Sequence, residues 1–144
     1  MKIGVASDHA GFEYKGKIAA LLKKKGHEVI DYGTSSTEGC DYSDFAHPLG
    51  TAIDNGDVEL GVAFCGTGNG MAITLNKHQK VRAALCWGTE IARLAKAHNN
   101  ANVIVMPARF ISYQMVTSIV NKWLETEFEG GRHERRIEKI PLCR

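Results

Sequence analysis

Short apolar runs alternate with longer amphipathic segments along the whole chain. The apolar runs predict five strands, at residues 2–7, 28–32, 58–65, 81–86 and 103–106. Apolar residues at helical spacing predict helices over residues 17–25 and 44–55, from Thr89 onward, and through residues 115–124. Because every parallel connection needs a crossover, this order predicts an α/β fold in which helices cover both faces of a five-stranded parallel sheet.

Composition predicts one globular domain, residues 1–144. The chain has 144 residues, of which 44% are hydrophobic and 24% charged, enough to bury a core without disulfides or a structural metal. Eighteen basic and sixteen acidic residues leave a net charge of +2, too small for a general nucleic-acid or membrane binder. Neither a signal-peptide apolar region nor an 18-residue apolar stretch is found, so we expect a cytoplasmic protein.

Positive charge is concentrated in the C-terminal segment, residues 130–144. Five basic residues stand there against two acidic ones; the basic residues are Arg132, Arg135, Arg136, Lys139 and Arg144. Arg132 and Arg136 are four residues apart and therefore share one face of a helical turn. A solvated basic helix end is the common interpretation of such a run, but two guanidinium groups on one face also form a phosphate clamp, which Arg109 could join.

The four cysteines, Cys40, Cys65, Cys86 and Cys143, are far apart and form no CxxC pair, which argues against a zinc site or a disulfide framework. Cys65 ends the third predicted strand and runs into Gly66-Thr67-Gly68-Asn69-Gly70. Cysteine alone at such a position is usually a buried strand residue. A glycine-rich loop behind it predicts a nest of backbone N–H groups that binds an anion or oxyanion. Such a nest stabilises a thiolate and can make the sulfur reactive near neutral pH.

Polar residues also follow other predicted strands. Asp8 and His9 come directly after the first strand, where a carboxylate often only caps the following helix. His98 falls on the same helical face as Ile91, Leu94 and Ala95. A histidine there is usually a core or capping residue. Its place before the fifth strand nevertheless favours a functional role, with the side chain directed inward at a strand end.

Five motifs taken together resemble one family: SDHAGF, CGTGNG, RAALC, AKAHNNAN and FEGGRHERR. They are similar to those of the type B ribose-5-phosphate isomerases, whose relatives include galactose-6-phosphate isomerase subunits. The resemblance spans nearly the whole chain. It implies a Rossmann-like three-layer α/β/α sandwich, a homodimer or dimer of dimers, and no metal or cofactor.

The resemblance also implies catalytic roles. Cys65 is expected to be the base that moves a proton between C1 and C2 of a sugar phosphate. Thr67 is assigned to the catalytic residues and, with the rest of the loop, to the cradle of the enediolate oxygens; the cradle residues are Gly66, Thr67, Gly68, Asn69 and Gly70. His98 is expected to open the sugar ring, with Asp8 assisting at the ring oxygens and hydroxyls.

Substrate contacts follow from the same resemblance. Asn99 is expected to bind a substrate hydroxyl, and the phosphate ligands are expected to be His9, Arg109, Arg132 and Arg136. Arg132 and Arg136 belong to segment 130–144, which in this family reaches into the site of the partner subunit.

The substrate stays open between two classes of sugar. One branch of the family has a carboxylate base directly after the glycine-rich loop, whereas this chain has Met71 and resembles the cysteine branch. The resemblance to the type B ribose-5-phosphate isomerases implies interconversion of ribose 5-phosphate and ribulose 5-phosphate. The alternatives are isomerisation of a six-carbon aldose 6-phosphate, such as allose or galactose 6-phosphate, and a non-catalytic sensor of a sugar phosphate or nucleotide.

Overall fold

The computed structural model describes residues 1–142 and contains one parallel sheet of five strands. In chain order these are β1 (Lys2–Ser7), β2 (Glu28–Asp31), β3 (Leu60–Cys65), β4 (Ala83–Leu85) and β5 (Val103–Pro107). Their spatial order is β2-β1-β3-β5-β4, and every neighbouring pair is parallel. The predicted five-stranded parallel sheet is confirmed.

Within residues 1–142, four α-helices and one short 3₁₀ turn connect the strands, and two further helices follow β5. The turn spans His9–Gly11, and the helices are α1 (Phe12–Lys24), α2 (Ser43–Asn55), α3 (Asn69–Leu75), α4 (Thr89–Asn99), α5 (Tyr113–Glu125) and α6 (Arg132–Glu138). Among residues 1–142, no helix has both the length and the apolar composition needed to cross a membrane. Cys143 and Arg144, which were counted with the cysteines and the basic segment, lie outside the described residues.

Alternating side chains of the strands feed two separate apolar cores, one on each face of the sheet. On one face, Ile3 and Val5 of β1 pack in a cluster with residues of α1, α4 and α5, including the fully buried Trp123. On the other, Ala6 of β1 lies in a cluster with residues of α2 and α3, including Leu49. The predicted α/β/α sandwich is therefore confirmed.

Two predicted boundaries differ from the structure for identifiable reasons. Helix α1 begins at Phe12 rather than at residue 17, because the Asp8 carboxylate accepts hydrogen bonds from the N–H groups of Ala10 and Gly11 and starts a 3₁₀ turn that leads straight into the helix. Strand β4 is only three residues long, since it lies at the edge of the sheet and pairs with β5 alone.

The order of strands reverses between β1 and β3. From β1 the chain places β2 on one side, and it then places β3 on the other side of β1. Open parallel sheets bind ligands in the crevice that forms at such a point, outside the carboxyl ends of the strands. Strands β1 and β3 end at Ser7 and Cys65, so Asp8 and the glycine-rich loop follow at this crevice.

Two glycines, one in the 3₁₀ turn and one in α1, allow a matched test of how the turn packs against β3. A Cβ added to Gly11 would lie 2.4 Å from Phe64 Cβ, whereas a Cβ on Gly16 would meet nothing within 4 Å. We expect Gly11→Ala to lower the free energy of unfolding by about 1–3 kcal/mol through overpacking. Gly16→Ala should raise it by about 0.5–1 kcal/mol, because alanine favours the helix. Urea denaturation measures both; equal midpoints for the two variants would contradict the packing of the turn against β3.

Candidate active site

The carboxyl ends of β1, β3 and β5 bring Asp8, Cys65 and Arg109 into one cleft. The backbone N–H of Asp8 donates to the Phe64 carbonyl at 3.3 Å, and the backbone carbonyl of Cys65 accepts from the N–H of Ala108 at 2.9 Å. The Arg109 side chain lies along Gly66, where an added Cβ would be 3.1 Å from Nη1. Residues that are far apart in the sequence therefore meet beside the Cys65 thiol.

The glycine-rich loop turns its backbone N–H groups toward the sulfur of Cys65. The backbone N–H groups of Met71, Gly68 and Gly70 lie near enough to the thiol to lower its pKa. Gly68 has φ of +80°, and a Cβ there would lie 2.3 Å from Leu85 Cδ1, so the loop needs glycine at this position. The nest predicted from the glycine spacing thus faces Cys65.

The Thr67 and Asn69 side chains lie at the open side of this loop. Thr67 Oγ1 accepts a hydrogen bond from the Asn69 N–H at 3.2 Å, at the start of α3, and both residues are exposed. The Thr67 hydroxyl and the Asn69 side-chain amide are therefore open to solvent.

The ionisation of Cys65 differs from the sequence-based expectation. Burial raises the pKa of the thiol, with a further increase from the Asp8 carboxylate, whereas the N–H groups of Met71, Gly68 and Gly70 lower it. The net pKa lies above the ordinary value for a thiol. Burial and the nearby negative charge thus outweigh the effect of the nest on the pKa of the thiol.

His9 is oriented by a residue that the sequence analysis did not assign to the site. The backbone N–H of Cys40 donates to His9 Nδ1 at 3.2 Å, so a neutral His9 carries its proton on Nε2. Tyr42, in the same loop, covers Gly70, where an added Cβ would be 2.4 Å from Tyr42 Cζ. Cys40 and Tyr42 therefore border the cleft, and no sequence signal links them to residues about 30 positions away.

His98 lies near the amino ends of the strands, whereas Cys65 lies at their carboxyl ends. Helix α4 starts after β4 and carries His98 toward the amino end of β5, about 16 Å along an 11-residue helix. Just beyond it, the Asn102 carbonyl accepts a hydrogen bond from the Gly61 N–H at the start of β3, whereas Cys65 ends β3. Within one chain, the structure does not bring His98 and Cys65 together.

The helical face predicted for His98 is also wrong. Ile91 is 56% exposed and His98 is half-buried, while the buried residues of α4 are Ala92, Ala95 and Ala97. Small alanines let α4 pack closely on α5, so the large Ile91 side chain falls on the outer face. His98 therefore points away from the apolar core of its own chain.

His98 instead lies with the C-terminal basic segment. Its ring stacks on that of His133 in α6, with ring centroids 4.3 Å apart. Each of these histidines places Nε2 at 3.6 Å from Glu129 Oε1. Burial lowers the pKa of His133, and the charges of His98, Arg132 and Arg136 add to this effect. Three of the residues expected at the substrate, His98, Arg132 and Arg136, thus lie around α6.

Arg132, Arg136 and Asn99 are exposed near this cluster. In residues 1–142, neither arginine forms an ion pair. Asn99 lines a cavity of about 290 Å³ beside β4, together with Arg82 and Ile140. The expected site residues therefore form two groups. The cleft group is Asp8, His9, Cys65, the loop 66–70 and Arg109, and the basic group is His98, Asn99, Arg132 and Arg136.

The opposing effects on the pKa of Cys65 can be separated by a substitution that removes the charge of Asp8. Asp8→Asn keeps a side-chain oxygen for the turn but removes the negative charge that raises the pKa of Cys65. We expect the thiolate to form at lower pH, so alkylation of Cys65 by iodoacetamide at pH 8 should become several-fold faster. Mass spectrometry follows the labelling, and Cys86 is the internal control, because burial raises its pKa to about 12. An unchanged or slower reaction of Cys65 would contradict this electrostatic account.

Comparison with known proteins supports the resemblance seen in the motifs. The family model described as Ribose/Galactose Isomerase matches residues 3–140. The chain is 40% identical over 139 residues to ribose-5-phosphate isomerase B of Escherichia coli, covering 96% of this chain and 93% of that relative.

Solved structures agree in fold. A ribose 5-phosphate isomerase from Thermotoga maritima is 48% identical with a TM-score of 0.94, and 97% of each chain is covered. Ribose-5-phosphate isomerase B from Mycoplasma genitalium, with bound ribulose-5-phosphate, is 41% identical with a TM-score of 0.93, covering 96% of this chain and 93% of that one. The alignment of family model, relatives and fold over nearly the full length shows that the chain belongs to the Ribose/Galactose Isomerase family.

Proposed function

We propose that this chain interconverts ribose 5-phosphate and ribulose 5-phosphate by proton transfer through an enediolate, without a metal. The observation that carries the proposal is the Cys65 thiol held against the backbone N–H groups of Gly68, Gly70 and Met71. Moving a proton between two carbons of a sugar requires a base beside donors that stabilise the oxyanion. The names of the Escherichia coli relative and of the ligand-bound Mycoplasma genitalium structure support this choice of substrate.

Cys65 acts as the base once its proton has left. Its raised pKa lowers the fraction of thiolate near neutral pH, but it makes the thiolate that does form a stronger base toward a carbon-bound proton. The N–H groups of the loop would stabilise the negative charge as it moves from sulfur to the enediolate oxygens. Thr67 adds a hydroxyl at the same edge of the cleft.

His9 and Arg109 would hold the phosphate in the cleft. The hydrogen bond from the Cys40 N–H leaves His9 Nε2–H as a donor. Arg109 is exposed next to Gly66 and supplies a positive charge beside the loop. Binding energy from the phosphate would hold the open-chain sugar in position for the reaction at C1 and C2.

The basic group would complete this cleft from a second copy of the chain. The basic group lies on the side of the sheet where the strands have their amino ends. One chain therefore cannot place these residues on a small sugar phosphate bound at Cys65. Next to Arg109, the stacked rings of Trp87 and Phe110 are 52% and 58% exposed, with centroids 5.5 Å apart. Such an exposed aromatic pair is a surface that a partner would cover. We therefore propose a homodimer, or a dimer of dimers, with shared sites.

In this arrangement the residues keep the roles that the family resemblance implies. His98 would open the sugar ring with help from Asp8, Asn99 would bind a hydroxyl, and the two arginines of segment 130–144 would join the phosphate ligands. The single domain 1–144, the cytoplasmic location and independence from metals and cofactors stay predictions.

The function is tested by comparing substrates and removing the base. We expect kcat/KM to be higher for ribose 5-phosphate than for allose 6-phosphate or galactose 6-phosphate. Cys65→Ala should abolish both turnover and exchange of the C2 proton with solvent, while substrate binding is largely kept, because the alanine removes only the base. Cys86→Ala is the matched control, since Cys86 is buried away from the loop.

The outcomes separate the candidate functions. Higher kcat/KM for a six-carbon sugar would assign the alternative substrate to the same chemistry. Binding of sugar phosphates without turnover in the wild-type chain would indicate a sensor. Exchange by Cys65→Ala within a few-fold of wild type would refute Cys65 as the base.

A further inference from the structure

Two histidines and one carboxylate converge at the end of α4. His98, Glu129 and His133 each place one ligand atom so that all three lie within 4.8 Å of one another. The three residues come from α4, from the segment between α5 and α6, and from α6 itself. A backbone hydrogen bond of 2.9 Å, from the Glu129 N–H to the Ala97 carbonyl, fixes that segment against α4. The cluster is therefore built by tertiary packing and not by neighbours in the sequence.

We propose that His98, Glu129 and His133 form a binding site for a divalent transition-metal ion of the zinc class, and that the bound ion inhibits the enzyme. The metal site stands on its own geometry, whereas the inhibition rests on the proposed function of His98. A bound ion would take up the Nε2 lone pair of His98, which could then no longer exchange a proton with the sugar ring.

The ligand set selects the kind of ion. Imidazole nitrogen with one carboxylate oxygen suits Zn²⁺, Co²⁺ and Ni²⁺, whereas Mg²⁺ and Ca²⁺ require mainly oxygen ligands. Ligand atoms around a tetrahedral zinc ion lie roughly 3.3 Å apart, given bonds of about 2.0–2.1 Å. Both histidine-to-Glu129 distances are 3.6 Å, so a closure of a few tenths of an ångström is needed there.

The side chains have room for that adjustment. The rings of His98 and His133 are nearly parallel, at 12°, and must tilt before both nitrogens point to one ion. The His98 side chain is 38% exposed and that of Glu129 is 54% exposed, so these two can move without disturbing the core. Three protein ligands would leave a fourth position open to water.

Neighbouring charges argue for a reversible site. Arg132 and Arg136 lie close enough to act electrostatically on His133, and they oppose binding of a cation. A bound ion would therefore be held weakly enough to exchange, as reversible inhibition requires. Removing the positive charges with Arg132→Ala/Arg136→Ala should strengthen metal binding, an effect that a site elsewhere in the chain would not show.

A second histidine pair serves as the matched control. His47 Nδ1 and His78 Nε2 are 2.8 Å apart and share a hydrogen bond, and His78 Nδ1 faces Asp54 Oδ2 at 3.4 Å. The nitrogens that face each other are already paired, so they offer no set of three converging ligands. His47→Gln/His78→Gln should bind metal like the wild type.

The test is calorimetric titration of the full chain with Co²⁺, followed by absorption spectroscopy of the bound ion. We expect one Co²⁺ per chain, and an affinity about ten-fold or more weaker in Glu129→Gln and in His133→Gln. Mg²⁺ should give no binding. Glu129→Gln guards against misfolding, because Glu129 is exposed. Equal Co²⁺ affinity in the wild type and both variants would overturn the site. So would a thiolate-to-Co²⁺ spectrum in the wild type together with loss of Co²⁺ binding in Cys65→Ala.

Inhibition is measured separately with ribose 5-phosphate as substrate. Co²⁺ should inhibit the wild type in competition with substrate, and Glu129→Gln should be active and resistant. Binding at the three residues without inhibition would refute the inhibitory role. Absence of isomerase activity in the metal-free wild type would refute the proposed function alone, since the titration decides the metal site independently.

Discussion

The backbone N–H groups of the glycine-rich loop, which stabilise negative charge on the Cys65 sulfur, provide the interaction on which the site depends. They require the chain to turn sharply after β3, and Gly68 permits the turn with a positive φ and no Cβ against Leu85. Strand β3 lies between β1 and β5, so its end is fixed on both sides. The most buried part of the sheet thus positions the thiol and the donors together.

Asp8 links the fold to the chemistry of that thiol. One oxygen of its carboxylate accepts two backbone hydrogen bonds, at 3.0 and 3.2 Å, and so forms the turn that starts α1. The negative charge of this carboxylate also raises the pKa of Cys65. A residue whose ordinary interpretation from sequence is helix capping therefore also adds to the effect of burial on the proposed base.

The sequence predicted the local features of this structure better than the relations between them. Strand β1 and the nest after Cys65 follow from apolar runs and glycine spacing, which are properties of neighbouring residues. The distance of His98 from Cys65 follows from the parallel crossover, because α4 runs from the carboxyl end of β4 back to the amino end of β5. Motifs taken one by one do not express this relation between elements. The contact of Cys40 with His9 spans 31 positions and leaves no periodic signal.

The central claim is that the cleft group of one chain works with the basic group of another. Subunit complementation tests it directly: inactive Cys65→Ala chains are mixed with inactive His98→Asn chains, and heterodimers are isolated with two different affinity tags. If the groups meet between subunits, one site of the heterodimer carries both changes and the other carries none. Activity should then recover toward half of that of the wild-type dimer. Isolated heterodimers that stay inactive would show that each site uses residues of its own chain, and would contradict the account.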